Sequence, residues 1–272
     1  MLIRTMEDGR RTVRSPSNLA DDEKMVSHQI LDNLDTPEFH QAMLKLKKEK
    51  IIGLASAGYR VSRVGELAWL MLSTESCAFL FDILALGESG IRNTDIRRIL
   101  ESDKIMKVAH DCRFISDCLL HQYHVELTFV WDTQAAYGLL NQRHDQKLLP
   151  RHVMPYGDCV REVLDVSLRQ LQRGKTYLSK SVEEREMWLE RPVTEELVMA
   201  LIAQVQHLLS LRRGLMSRLD EQLNGMMTTY LNCVRSRTVE EDADNAIGKM
   251  LNGAHLTPTK FLWDALRSGE KQ

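Results

Sequence analysis

Paired cysteines are missing from this chain: Cys77, Cys112, Cys118, Cys159 and Cys233 form no CxxC and no even-numbered framework. That pattern excludes a disulfide scaffold and points to a reduced, intracellular setting, with the cytoplasm as the expected location. Missing too is any uncharged apolar run of the ~20 residues a bilayer span requires, so no membrane partner is expected. The opening "MLIRTMEDGRRTVRSPSNLADDEK" has no apolar core of a secretory signal. "GLASAG" and "GRRTVRS" lack the lysine and context of a phosphate loop, and no GxSxG elbow or HExxH pair occurs. Nucleotide hydrolysis by a P-loop, serine hydrolysis and a zinc-protease helix therefore have no support. There is no internal repeat and no low-complexity tract.

Charge of one sign is equally absent. The net charge of −2 over 272 residues neither demands nor excludes a nucleic-acid partner, because local distribution decides that. The clearest asymmetry is residues 142 to 175, where seven Lys and Arg, among them Arg143 and Arg151, face four acids. Alone, such a run reads as a solvated face or loop. The nine histidines read as surface or capping residues, and the cysteines as small buried hydrophobes.

What is there is a globular pattern, 43% hydrophobic and 27% charged, enough for one substantial core. Residues 1–33 mix charge with Gly, Pro and Ser and read as a flexible arm. "TPEFHQAMLKLKKEK" (36–50) carries a Thr cap, a Pro at the first helical position, and Phe39, Met43 and Leu46 on one face. "IIGLASA" (51–57), "ELAWLMLS" (66–73) and "CAFLFDI" (77–83) read as three strands joined by short links, hence an antiparallel meander. A helix at about 92–101, the strand "KVAH" (107–110), a helix at about 112–123 and the strand "TFVWD" (128–132) follow. That alternation implies a parallel pair with a right-handed crossover. From about 159 onward the chain reads as helical. "TEELVMALIAQVQHLLSLRRGLMSRLDEQL" (194–223) is taken as one long helix, and the stripe Leu208, Leu211, Leu215 and Leu219 as core rather than interface. Trp69, Trp131, Trp188 and Trp263 are read first as core, with Trp188 partly exposed and open to a role as a base-stacking platform.

Taken together, "IIGLASAGYRVSRVGELAWLMLST", "FLFDILALG", "KVAHDCRFISDCLLHQYHVELTFVWDTQAAYGLL" and "WLERPVTEELVMALIAQVQHLL" stand in the order and spacing of a known enzyme domain. Over residues of about 36 to 215 the chain resembles the 3′-to-5′ exonuclease domain of the DEDD superfamily, ribonuclease D-like. Within it, the resemblance is to the animal group associated with the piRNA pathway of germ cells. The resemblance implies an α/β fold, the ribonuclease H-like three-layer sandwich with a mixed central sheet, here with a C-terminal helical extension. The expected domains are the arm 1–33, an exonuclease-like domain 34–215 and a helical extension 216–272.

The family's chemistry uses two divalent ions bridging the scissile phosphate, held by four carboxylates, with a Tyr or His positioning the water. Matched onto this sequence, the acidic pair of the first strand falls on Ala55 and Ala57, and the acid of the second block on Ile115. The Tyr and Asp of the third block fall on Ala200 and Gln204. None of the five can supply an anionic oxygen. Asp117 lies about 200° around the helix from Ile115 and Asp111 one turn before it, so neither replaces the missing acid. Asp82 and Asp132 fall near strand ends, where the family keeps a structural Asp. The resemblance thus implies a pseudo-exonuclease with no metal, no cofactor and no catalytic residues. It implies single-stranded RNA as ligand, with Arg60, Arg63, Arg113, Arg143 and Arg151 bordering the groove. It also implies partnership with Tudor-domain and PIWI-complex proteins, while the tail of about 50 residues and the long helical second half offer surface for a homodimer. The competing expectations are a structural interaction module without RNA and, last, a residual metal-dependent exoribonuclease.

Overall fold

A computed structural model describes residues 26–141, 153–166 and 185–235. The segment between them that holds Arg143 and Arg151 lies outside the described residues, as do residues 1–25 and Trp263. Six strands form one sheet: β1 (Ser27–Leu31), β2 (Ile51–Ala57), β3 (Trp69–Ser73), β4 (Cys77–Asp82), β5 (Met106–Ala109) and β6 (Val130–Asp132). Their order is β1-β4-β3-β2-β5-β6. The meander β2-β3-β4 is antiparallel, while β1 joins β4, β5 joins β2 and β6 joins β5 in parallel. This is the mixed sheet that the alternation of elements implies. β1 corrects the reading of residues 1–33 as a flexible arm, since Ser27–Leu31 within it pairs with β4 at the sheet edge. A short, polar "SHQIL" carries too little periodicity to announce a strand.

One face of the sheet is covered by α1 (Pro37–Lys48), α2 (Ile83–Arg92), α3 (Asp95–Leu100) and α4 (Arg113–Tyr123). Thr36 caps α1 by accepting from Phe39 N at 3.3 Å, and Phe39, Ala42, Met43 and Leu46 form its buried face. α2 was not expected: "ILALGESGIR" holds Gly87 at φ 68°, which breaks the turn inside it and hides the helical period. Lys107 is wholly buried on this side. Its Nζ donates to Ser102 O at 2.6 Å, and burial holds its pKa down to about 8.

The opposite face is covered by α7 (Glu186–Leu189), α8 (Glu195–Val205) and the start of α9 (Leu208–Arg235), packed on Trp69, Met71, Leu80 and Val108. The long helix expected at 194–223 is two helices, parted at Gln206–His207; the apolar spacing runs on unbroken across the join and so does not mark it. α8 comes close to β2 because residue 53 is Gly; an added Cβ there would meet Ser73 Oγ at 2.3 Å and Val205 at 3.4 Å. That approach sets the height of α8 over β2. α5 (Thr133–Leu140) and α6 (Tyr156–Leu164) pack with α9 in a smaller cluster around Cys159, Leu211 and Leu215. Leu208, Leu211 and Leu215 are core as read, and Leu219 is half-buried. The boundary placed between 215 and 216 falls inside α9, so no break separates the two regions there. Trp188 is 3% exposed, which removes it as a stacking platform.

Candidate functional site

At the carboxyl ends of β2 and β5, where α/β sheets place their ligands, lies a cavity of ≈ 190 Å³. Its walls come from Leu54, Ala55 and Ser56 of β2, Ala109 of β5 and His110 to Cys112 after it. Phe114 and Ile115 of α4, Tyr156 of α6, Gln204 of α8 and Leu208 of α9 complete it. Three of the five residues matched to family positions, Ala55, Ile115 and Gln204, therefore meet around one space. Ala57 and Ala200 do not line it: Ala57 pairs with Trp69 in the sheet and Ala200 is fully buried.

Asp111 is the one acid in the cavity wall. It sits at φ 55° and is clamped by Arg113, whose Nε and Nη2 reach Oδ1 and Oδ2 at 2.5 and 2.8 Å. The Arg113 guanidinium holds the Asp111 carboxyl below its ordinary range against the cost of burial. A pair of Mg²⁺ ions needs several free anionic oxygens, and this wall of methyls, an isoleucine, an amide and one ion-paired carboxylate does not fit them. Among the described residues no group of three or more His, Cys, Asp or Glu is placed to hold a metal ion.

The cavity floor is fixed by a second acid. Asp132 Oδ1 accepts from Asp111 N, Gln134 N and Ala135 N at 3.1, 2.8 and 3.3 Å, while Oδ2 accepts from Cys112 N at 2.7 Å. One carboxylate thus caps α5 and anchors the turn entering α4. Burial and the Asp132 carboxylate push the Cys112 thiol up to about 12, so it is no thiolate nucleophile.

His110 is not the surface or capping residue that its spacing suggested. Its Nδ1 lies 2.7 Å from Thr133 Oγ1 and its Nε2 2.8 Å from Met154 O, while Thr133 donates to Ala109 O at 3.0 Å. Gln134 Oε1 accepts from Met154 N at 3.0 Å, so both backbone groups of Met154 are tied down. Burial lowers the His110 pKa, opposed by the Met154 carbonyl and by Asp132 and Asp111. Tyr156 packs edge-on against His110 with ring centres 5.4 Å apart, and burial raises its pKa, keeping it a phenol. Neither residue was singled out by sequence. The available signals were a histidine ending a strand and an aromatic directly after Pro155.

Of the arginines expected at the groove, Arg60 and Arg63 lie on the loop leaving β2 and Arg113 on the first turn of α4. Gln122 holds that loop to α4 by donating to Ser62 O and Gly65 O at 2.6 and 2.8 Å. Arg63 is engaged with Asp117 through its backbone N at 2.7 Å, Nε at 2.9 Å and Nη2 at 2.6 Å. Arg60 stacks over Tyr59 at 5.3 Å and has no carboxylate partner among the described residues. A phosphate approaching Arg63 or Arg113 must therefore compete with an internal carboxylate, whereas Arg60 is open.

Among the described residues no helix is long and apolar enough to cross a membrane. Residues 35–198 match the family model described as 3′-5′ exonuclease. The chain is 34% identical to the mouse "piRNA biogenesis protein EXD1" over 84% of its own length and 39% of that protein's. To the zebrafish protein of the same name it is 32% identical over 82% of this chain and 58% of the relative. It thus spans roughly two to three fifths of the length of these relatives. In structure it superposes on Trypanosoma brucei RNase D, solved as a "complex with RNA U12", at TM-score 0.59 and 20% identity, covering 70% of this chain and 62% of that one. On the EXO domain of Aedes aegypti Nibbler the values are 0.55 and 18%, over 74% and 91%. These structural likenesses carry the fold, a ribonuclease D-like α/β sandwich. With the family model matching more than half of its length, the chain belongs to the 3′-5′ exonuclease family.

Proposed function

We propose that this protein is a pseudo-exonuclease: an RNA-binding, homodimeric adaptor that has kept the exonuclease scaffold and no longer cuts. The observation that carries the reading is the meeting of Ala55, Ile115 and Gln204 around one cavity whose sole acid, Asp111, is tied to Arg113. Several carboxylates facing one another would repel phosphate whenever metal is absent; a wall without them does not. Arg60 and Arg63 stand on the loop leaving β2 and Arg113 on the first turn of α4, next to Phe114, which is 59% exposed and offers a ring on which a base can stack. The names of the mouse and zebrafish relatives favour a place in piRNA biogenesis, the family resemblance favours Tudor-domain and PIWI-complex partners, and the unpaired cysteines favour the cytoplasm.

Binding is expected to be independent of metal, weakly selective for sequence and sensitive to salt. About three phosphate contacts to a single strand predict an affinity loss of about tenfold between about 50 and about 150 mM salt. The test is an electrophoretic shift of labelled single-stranded RNA in EDTA, run beside an incubation with Mn²⁺. A shift at low salt with intact RNA is expected, together with a melting temperature that Mg²⁺ and Mn²⁺ leave unchanged. RNA shortening that a chelator abolishes reverses the reading to an exoribonuclease. Absence of any shift reduces it to an interaction module.

The dimer is favoured by α9. Beyond Leu219 the stripe that is core at Leu208, Leu211 and Leu215 continues into Leu223 and Met227, 56% and 46% exposed, with nothing among the described residues covering them. Light scattering should give twice the mass of one chain, and Leu223→Glu with Met227→Glu should give one chain. A wild-type monomer at micromolar concentration sinks the dimer.

A further inference from the structure

We infer that Arg212, stacked on Trp131, is an RNA-binding residue outside the expected set, taking a phosphodiester of the single strand. The inference rests on the RNA-binding reading and adds a contact on α9 to it. Every arginine with a described side chain meets a carboxylate, except Arg60 and Arg212. The two exceptions share a second property: each guanidinium lies over an aromatic ring, Arg60 over Tyr59 at 5.3 Å and Arg212 over Trp131 at 5.5 Å. Tyr59 is the chain neighbour of Arg60, whereas Trp131 brings β6 to a residue of α9. Arg212 is half-buried. Its Nε is enclosed by the protein and finds no acceptor, while Nη1 and Nη2 are neither enclosed nor bonded to any described residue. An enclosed donor without an acceptor costs stability, and an aliphatic side chain lying on Trp131 would avoid that cost. Packing alone therefore does not account for a cation here.

Stacking uses the face of a guanidinium and leaves its in-plane N–H edge free, and that edge matches two oxygens of a phosphodiester. Trp131 fixes the plane of the fork before any ligand arrives. Leu208 lines the cavity, and Arg212 follows it by one turn of α9. Trp131 packs in the same small cluster as Tyr156 of the cavity wall and precedes Asp132. The Asp132 oxygens are taken by four backbone N–H groups and form no ion pair with Arg212. The next residue shows the contrast: Arg213 is turned to Glu75 and to Ser210 Oγ, the latter at 2.9 Å. Two consecutive arginines thus divide, one spent on the fold and one unspent. A phosphate reaching Arg212 displaces no internal carboxylate, unlike one reaching Arg63 or Arg113.

The test uses the full chain in EDTA with a labelled single-stranded oligouridylate, its affinity read by fluorescence anisotropy from about 50 to about 200 mM salt. Arg212→Met keeps an aliphatic stem on Trp131 and removes the charge. It is expected to weaken binding by about fivefold at low salt and to lower the slope of log affinity against log salt by about 0.7, one phosphate's share for a single strand. Its melting temperature should be no lower than that of wild type, which separates a lost contact from a lost fold. Arg212→Lys keeps the charge without the planar fork, and should keep the slope while binding more weakly than wild type. Arg213→Met is expected to match the wild-type slope. The enclosed Arg212 Nε–H gives an independent readout: its NMR signal should shift as RNA is added and saturate together with the anisotropy. Coincident slopes for wild type and Arg212→Met, equal slope losses in Arg212→Met and Arg213→Met, or a silent Nε–H overturn the site and leave the RNA-binding reading standing. A wild-type chain that binds no RNA at about 50 mM salt removes the reading and the site together.

Discussion

Replacing Asp132 by Ala is expected to lower the unfolding free energy by about 2–4 kcal/mol, the loss of about two helix caps at once. The four N–H groups of Asp111, Cys112, Gln134 and Ala135 converge on this one carboxylate, so its removal strands donors in both the α4 turn and α5. Asp132→Asn separates charge from geometry. An amide oxygen at the Oδ1 position keeps three of the four contacts, while its NH₂ group then meets Cys112 N–H donor to donor. An intermediate loss is expected, smaller than for Ala. Urea denaturation with the slope unchanged measures both. A midpoint for Asp132→Ala within about 0.5 kcal/mol of wild type would show that water replaces the cap at no cost.

Arg191→Met is expected to cost about 3–5 kcal/mol, because it leaves a buried charge behind. The Asp82 carboxylate is 4% exposed; Arg191 Nε and Nη2 meet its two oxygens at 2.8 and 2.7 Å, and the guanidinium stacks 5.1 Å above Trp69. The same arginine donates to the carbonyls of Trp188 and Glu190, which ties α7 and the entry to α8 onto the end of β4. Asp82 also caps α2 through Ala85 N at 3.2 Å. Converting Asp82 to Asn in the Arg191→Met background removes the stranded charge while keeping a cap acceptor. The double variant should therefore recover part of the loss, a coupling that a double-mutant cycle reads directly. Additive losses would mean that packing on Trp69, not charge, holds the corner.

Both acids were marked as structural by the family resemblance, and the structure gives the local reason: an acid at a strand end finds a helix start within reach. The strands β2 to β4 and the helix α4 were legible for the same kind of reason, since their apolar periods run unbroken between turn residues. What sequence did not show depends on partners far along the chain. Arg63 is bound by Asp117, 54 residues away, and Arg191 by Asp82, 109 residues away, so neither could be sorted in advance into free or engaged cations. The split of α8 from α9 is invisible because Val205, Leu208 and Leu209 continue the stripe across it. The cavity was half legible. Ala55, Ile115 and Gln204 were found by their alignment to a motif, but His110 and Tyr156 enter it through the packing of α6, which no motif marks.

The outer edge of the sheet has a practical consequence for anyone shortening the chain. β1 lies wholly before residue 35, where the family match begins, yet it pairs with β4 from Ser27↔Cys77 to Leu31↔Phe81. Ser27 Oγ adds a contact to Ser76 O at 2.6 Å. Every residue of β4, "CAFLFD", is buried. Trimming to the family boundary would strip the cover from a flat apolar strand and open its backbone to a second molecule, a template for edge-to-edge aggregation. β1 itself turns Ser27, His28 and Gln29 outward and makes a poor template. Five residues that look like a tail are thus what keeps the sheet from growing.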